Sequence, residues 1–119
     1  MIQMSQTTFT LDKPYVQSYS DDSLIIDGKE FYFPVILTPR KVMTGALPKK
    51  LEEFYPNNIA ELLRMNPELI LIGTGKKHRL MDTNVNRTGI GIDMMTTGAA
   101  CRIFNVMIEE SRDVLAALY

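Results

Sequence analysis

The hydrophobic pattern in the first third of the chain alternates with a period of two residues. It covers residues 15–19, 24–26 and 31–37, and such alternation is typical of strands with one buried face. Asp27-Gly28 separates two of these segments, and glycine supplies the positive φ that a tight hairpin turn needs. The pattern therefore predicts an antiparallel β-meander.

Proline residues interrupt the pattern in the next part of the chain. Pro34 lies inside the third alternating segment and predicts a bulge or an edge, because proline cannot donate a backbone hydrogen bond to a neighbouring strand. Residues 38–56 contain three further prolines and no sustained period. We predict connecting chain there, with at most one short strand.

The second half of the chain alternates between helical and strand patterns. Apolar positions spaced for a helix follow Asn57 or Asn58 as the cap and end at Asn66-Pro67, and a second helix begins at Thr96 or Thr97 and ends near Ser111. Short apolar runs predict strands at 69–72, 90–92 and 114–118, with a helical turn within 81–87. A strand, helix, strand order at this spacing favours parallel pairing with a right-handed crossover.

The composition describes an ordinary globular domain and excludes several kinds of site. The 119 residues are 45% hydrophobic and 23% charged, with a formal net charge of −1, so we expect a single domain, 1–119, and no nucleic-acid binding. One cysteine excludes an internal disulfide, and one histidine leaves few options for a metal. We therefore expect no metal and no cofactor.

The chain has no recognisable targeting or membrane segment. Its first 20 residues lack the apolar core of a secretory signal and the arginines of a transit peptide. No apolar run approaches the roughly 20 residues that a membrane helix needs. We expect no membrane insertion and a cytoplasmic location.

The most informative motif is an apolar strand that ends in Gly73-Thr74-Gly75 and continues into Lys76 and Lys77. Backbone amides in such a loop, together with the lysines, favour binding of a small anion. The motif lacks the third glycine of a dinucleotide fingerprint and the Gly-Lys-Ser/Thr of a P-loop. A tight turn with a solvated basic tail is the alternative, and in both cases we expect a positive φ at Gly75.

Thr96 and Thr97 begin a helix rich in small residues, about twenty positions after the glycine motif. Helix N-termini and strand carboxyl ends converge on one edge of an open α/β sheet, where ligands tend to bind. We therefore predict that these two segments meet and form a pocket. Helix capping and close packing of the helix on the sheet explain the same residues without a ligand.

Cys101 and Asn105 each allow two interpretations. The helix dipole can lower the pKa of Cys101 and make the thiol a nucleophile, whereas its apolar neighbours favour a buried, inert thiol. Asn105 is a mediocre helix former. It either hydrogen-bonds the backbone of the glycine loop or lies on an exposed polar stripe.

The segment Met95-Thr-Thr-Gly-Ala-Ala-Cys-Arg-Ile-Phe-Asn-Val-Met-Ile-Glu-Glu-Ser-Arg112, with the strand and Gly-Thr-Gly before it, carries a resemblance. It resembles the small domain family of mitochondrial complex I assembly factor 3 and the adipogenesis-associated domain protein. The resemblance covers the chain from about Thr10 onward. It implies a three-layer α/β fold, with a central mixed sheet, helices on its faces and extra antiparallel strands from the N-terminal meander.

The resemblance transfers no catalytic residue, because family members are mostly uncharacterised and the best-described one is a non-enzymatic assembly factor. The leading hypothesis is a non-catalytic binding or assembly module that recognises a protein partner and holds a small anion. The residues predicted to bind the anion are Gly73, Thr74, Gly75, Lys76, Lys77, Thr96, Thr97, Cys101 and Asn105. The competing hypothesis is an enzyme or redox-responsive protein that uses Cys101.

Overall fold

Two β-sheets and three helices form the part of the chain that the computed structural model describes, residues 6–55, 58–77 and 89–119. The strands are β1 (Thr7–Thr10), β2 (Val16–Tyr19), β3 (Ser23–Ile26), β4 (Lys29–Tyr32), β5 (Val35–Leu37), β6 (Lys41–Thr44), β7 (Leu69–Gly73), β8 (Gly91–Met95) and β9 (Val114–Leu118). The helices are α1 (Leu51–Phe54), α2 (Ile59–Leu63) and α3 (Thr97–Glu109).

The central sheet has six strands in the order β1-β6-β5-β9-β7-β8. β7 pairs in parallel with both β8 and β9, whereas β9 pairs antiparallel with β5. The predicted mixed sheet and the predicted parallel pairing are confirmed. Every residue of β9 is buried, because both faces of the sheet are covered there.

The molecule has three layers, and each face of the central sheet has its own hydrophobic core. On one face Leu71 and Ala116 pack with Phe104 of α3 and with Leu24 of the three-stranded sheet. On the other face the alternate residues of the same strands pack against α1 and α2. The three-layer α/β architecture is confirmed.

The three-stranded sheet β2-β3-β4 contains most of the predicted meander. The predicted hairpin is confirmed, since Asp27 and Gly28 both have positive φ between β3 and β4. The prediction of one continuous strand over residues 31–37 was wrong. The chain leaves the three-stranded sheet after β4 and joins the central sheet as β5. Pro34 stands between these two strands, not at a bulge or an edge within one.

The segment 38–56 contains one short strand, β6, which agrees with the prediction of at most one strand there. It also contains the short helix α1, which was not predicted. β1 was missed as well. Its four residues are mostly exposed and carry no alternating hydrophobic signal. Asn57 and the predicted helical turn within 81–87 lie outside the described residues.

The predicted helix caps are partly confirmed. Thr96 caps α3, and its side chain accepts a hydrogen bond from the amide of Ala99. Asn58 occupies the N-cap position of α2 but makes no side-chain capping bond, and its Nδ2 donates to the carbonyl of Glu53. Among the described helices, none has the length and apolar character to cross a membrane.

Candidate functional site at the carboxyl edge of the central sheet

The glycine turn, defined as Gly73-Thr74-Gly75, lies at the carboxyl end of β7 and bonds directly to the start of α3. The amide of Gly75 donates to Thr97 Oγ1 over 2.9 Å, and the amide of Thr97 donates back to the Gly75 carbonyl over 3.0 Å. The amide of Thr74 donates to the carbonyl of Met95, the last residue of β8. The prediction that these two segments meet on one edge of the sheet is confirmed.

The threonine hydroxyls in this region bind the chain itself. Thr97 is buried, and its hydroxyl donates to the carbonyl of Tyr119 over 3.1 Å. Thr74 is buried too and donates to the carbonyl of Lys77 over 2.7 Å. Thr96 caps the helix. These side chains therefore hold the edge together, and their hydrogen-bonding groups already have partners in the chain.

The two glycines of the turn serve different purposes. Gly75 has a φ of +92° and open space where a Cβ would stand, so it serves the turn as expected. Gly73 lies in the last position of β7, where a Cβ would come within 2.9 Å of both Leu118 Cδ2 and Thr97 Oγ1. Gly73 is therefore a close-packing residue beneath the start of α3.

Two adjoining clefts open at this edge, and together we call them the edge groove. The first, about 320 Å³, lies between the β2–β3 turn, the glycine turn and the N-terminus of α3. The second, about 530 Å³, lies beside α1. Both clefts are lined by Phe33, Gly75 and Tyr119. We call the two aromatic residues shared by both clefts, Phe33 and Tyr119, the aromatic strip.

Charged and aromatic side chains surround the first cleft. Lys76 Nζ lies 2.6 Å from Asp21 Oδ2, and the hydrogen bond and charge of Asp21 raise the pKa of Lys76. Arg102 Nη1 donates to Tyr19 Oη over 2.6 Å. The Tyr19 ring also fills the space beside Gly98, where a Cβ would come within 2.8 Å of Tyr19 Oη. These contacts tie the β2–β3 turn to the glycine turn and to α3.

Lysines dominate the charge of the second cleft. Lys49 and Lys50 are exposed, and they lie just before α1, whose Glu52 also lines the cleft. Among the described residues, the groove is lined by four cations and two carboxylates, which are Lys49, Lys50, Lys76 and Arg102, and Asp21 and Glu52. The groove is therefore locally basic in a chain whose formal net charge is −1.

Cys101 does not take part in the groove. Its side chain is 1% exposed within the core beneath α3, and burial raises the pKa of the thiol from 9.0 to about 11, although Arg102 opposes the shift. Of the two interpretations of Cys101, the buried thiol agrees with the structure and the thiol with a lowered pKa does not. Desolvation outweighs the helix dipole at this position.

We predict that Cys101 stays unreacted when the folded protein is incubated with iodoacetamide between pH 7 and pH 9. Only the ionised and reachable thiol reacts, and this thiol is neither. The measurement is mass spectrometry of the alkylated protein across the pH series, with a urea-unfolded sample as the positive control. Reaction of the native protein at the rate of the unfolded sample would contradict the prediction.

Asn105 is also remote from the groove, and both of its earlier interpretations were wrong. Its Oδ1 accepts from the amide of Val16 over 2.8 Å, and its Nδ2 donates to the carbonyl of Val16 over 2.9 Å. The side-chain amide thus takes the place of a neighbouring strand at the first residue of β2. It fastens the three-stranded sheet to α3.

Of the residues predicted for the site, Thr74, Gly75, Lys76, Thr96 and Thr97 line the edge groove. Gly73 is buried beneath it and Lys77 is exposed just after Lys76. The prediction missed several lining residues, namely Tyr19, Asp21, Phe33, Lys49, Lys50, Arg102 and Tyr119. Tyr19 and Arg102 are 83 positions apart, so no local pattern indicated their contact.

The described residues contain no cluster of three or more histidine, cysteine, aspartate or glutamate side chains that could hold a metal ion. The carboxylates in the groove, Asp21 and Glu52, line different clefts. What the groove offers is therefore charge, aromatic surface and backbone groups.

Comparison with known proteins identifies relatives of this chain. The chain is 27% identical over 107 residues to the "13 kDa major membrane protein" of Francisella tularensis, a match covering 84% of this chain and 85% of that protein. It is 28% identical over 111 residues to bovine "NADH dehydrogenase [ubiquinone] 1 alpha subcomplex assembly factor 3". That match covers 87% of this chain but only 59% of the bovine protein.

A solved structure shares the fold. The NMR structure of a protein from Rhodopseudomonas palustris superimposes with a TM-score of 0.75 at 22% identity, covering 99% of this chain and 91% of the other. A family profile described as "Protein of unknown function (DUF498/DUF598)" matches residues 16–119. The match includes every segment that forms the edge groove. The chain is thus a member of the DUF498/DUF598 family.

Proposed function

We propose that this protein is a non-catalytic assembly module that binds a protein partner through the edge groove. The observation that carries the proposal is the exposed pair of Tyr19 and Arg102 beside the aromatic strip of Phe33 and Tyr119. Tyrosine and arginine are the residue types that most often dominate the binding energy of protein interfaces. The similarity to an assembly factor supports an assembly role.

The partner belongs, in this proposal, to a respiratory or other membrane-associated complex. The bovine relative is named for assembly of NADH dehydrogenase, and the bacterial relative is named as a membrane protein. The module itself acts from the cytoplasm. Cell fractionation tests that location, and recovery of the protein in a compartment beyond the cytoplasmic membrane would contradict it.

The first cleft also accepts a small anion in this proposal. Lys76 and Arg102 both line this cleft, so a carboxylate or phosphate bound there can interact with two cations. Thermal unfolding in increasing phosphate at constant ionic strength tests this part. An identical midpoint for wild type and Lys76→Gln at every phosphate concentration would remove it.

Nothing in the described residues favours the enzyme hypothesis. Cys101 is buried with a raised pKa, and the hydroxyls of Thr74 and Thr97 bind backbone carbonyls. A nucleophile needs both access to substrate and an adjacent base. The groove therefore suits recognition better than covalent chemistry.

Cross-linking in the organism of origin tests the binding proposal with a matched pair of variants. Tyr19 and Tyr15 are 44% and 46% exposed, but only Tyr19 lines the edge groove. We expect Tyr19→Ala to lose the cross-linked partner and Tyr15→Ala to retain it, with both variants folded by circular dichroism. Equal recovery of the partner by the two variants would contradict binding at the groove.

Deletion of the gene tests the assembly role separately. We expect less assembled respiratory complex on native gels, restored by wild type and by Tyr15→Ala but not by Tyr19→Ala. Unchanged amounts of the assembled complex in the deletion strain would remove the respiratory assignment.

A further inference from the structure

Among the described residues, Lys76 and Arg102 are the cations that line the first cleft, and both bind groups at the β2–β3 connection. Asp21 in the turn binds Lys76, and Tyr19 at the end of β2 binds Arg102. The Asp21 and Lys76 side chains are 61% and 71% exposed. Exposed ion pairs contribute little to stability because water and salt screen them. An external carboxylate can therefore replace Asp21 at little cost.

The second cleft also contains cations, together with the carboxylate of Glu52. Lys49 and Lys50 are exposed, and neither forms an ion pair with any residue in the described ranges 6–55, 58–77 and 89–119. The aromatic strip of Phe33 and Tyr119 connects this cleft to the first one. Cations thus line both clefts of the groove, and the aromatic strip is common to the two.

We infer that the edge groove takes an acidic segment of the partner protein, in which carboxylates flank an aromatic or apolar side chain. This inference rests on the proposed function and specifies the chemistry of the partner. One carboxylate would replace Asp21 on Lys76, others would meet Lys49 and Lys50, and the central side chain would lie on Phe33 and Tyr119. Complementary charge of this kind guides the choice of partner and its orientation.

The same geometry makes Asp21 an internal competitor. Its carboxylate forms an ion pair with Lys76 in the free protein, so it competes with the carboxylates of any acidic segment that enters the groove. Removing the carboxylate frees Lys76 and also removes a like charge from the wall of the cleft. Asp21→Asn should therefore bind an acidic probe more tightly than the wild type does.

Fluorescence anisotropy on the full chain tests the inference with a fluorescein-labelled peptide of alternating glutamate and tyrosine. We expect saturable binding that Asp21→Asn strengthens and that Lys49→Gln/Lys50→Gln weakens, by about two- to fivefold for each charge changed. The matched control is Lys13→Gln/Lys29→Gln, which removes two exposed lysines from outside the groove. This control should leave the affinity unchanged.

Three results would overturn the inference. They are equal binding of a lysine–tyrosine peptide, equal losses in the two double-lysine variants, and tighter binding of a single-stranded DNA of equal charge. Inorganic phosphate at the same ionic strength should displace the acidic peptide only in part, because phosphate competes in the first cleft alone, and full displacement would reduce the site to a small-anion pocket. If the peptide fails while the Tyr19-dependent cross-link persists, the acidic chemistry is wrong but binding at the groove stands.

Discussion

Replacing Gly73 with alanine is expected to lower the free energy of unfolding by about 2–3 kcal/mol. The new Cβ would stand 2.9 Å from Leu118 Cδ2 and 3.0 Å from the Cα of Thr97, so the start of α3 must move away from the sheet. The Cα of Thr97 is a backbone atom, so it cannot move aside as the end of a flexible side chain could. Urea unfolding followed by circular dichroism measures the change, with an unchanged m-value as the sign of two-state behaviour.

Gly91→Ala is the matched control for this substitution. Gly91 and Gly73 belong to the same parallel β7–β8 ladder, at opposite ends. Within the described part of the chain, a Cβ at Gly91 would meet only the end of the Leu69 side chain, at 3.2 Å. Alanine usually stabilises a strand relative to glycine by about 0.5–1 kcal/mol, so this variant should be neutral or slightly stabilised. Similar losses in both variants would show that close packing at Gly73 is not the cause.

Asn105→Ala is expected to lower the free energy of unfolding by about 2–3 kcal/mol, because it leaves both backbone groups of Val16 without their side-chain partner. Val16 is buried, so water replaces the lost hydrogen bonds poorly. The loss should appear in urea unfolding. Amide hydrogen exchange at Val16 should also accelerate relative to the centre of β7.

Two further variants separate this hydrogen-bonding role from general helix effects. Val106→Ala changes the next residue, which is 53% exposed, and should stay within about 0.5 kcal/mol of wild type. Asn105→Asp keeps an acceptor for the Val16 amide but places a second oxygen against the Val16 carbonyl, so it should remain destabilised at neutral pH. Wild-type stability in Asn105→Asp would show that the donated hydrogen bond contributes nothing.

The glycine turn contains two glycines that look alike in the sequence but have different structural roles. Gly75 has the left-handed conformation that the motif predicted, whereas Gly73 is extended and needed for contact with Thr97. Both are glycines next to an apolar strand. Only the position of α3 distinguishes a turn glycine from a packing glycine.

Segments with a strong local pattern were predicted well. The apolar run of β9, the Asp27-Gly28 turn and the capping threonine of α3 each have a local physical cause, namely burial on both faces, positive φ and an unsatisfied helix amide. β1, α1 and the boundary between β4 and β5 were missed. They are short, and pairing with distant strands or packing on the central sheet defines them.

By itself the sequence determined the main strands and helices and the meeting of the glycine turn with the helix start, whereas the three-layer α/β class followed from the family resemblance carried by residues 95–112. The sequence could do so because periodicity, capping and turn residues act within a few positions of the chain. Only the tertiary structure decided that Cys101 is buried, that Asn105 fastens β2, and that Tyr19, Asp21 and Arg102 form one wall of a groove. Burial and long-range contacts depend on which surfaces the sheet brings together, and no local pattern encodes that choice.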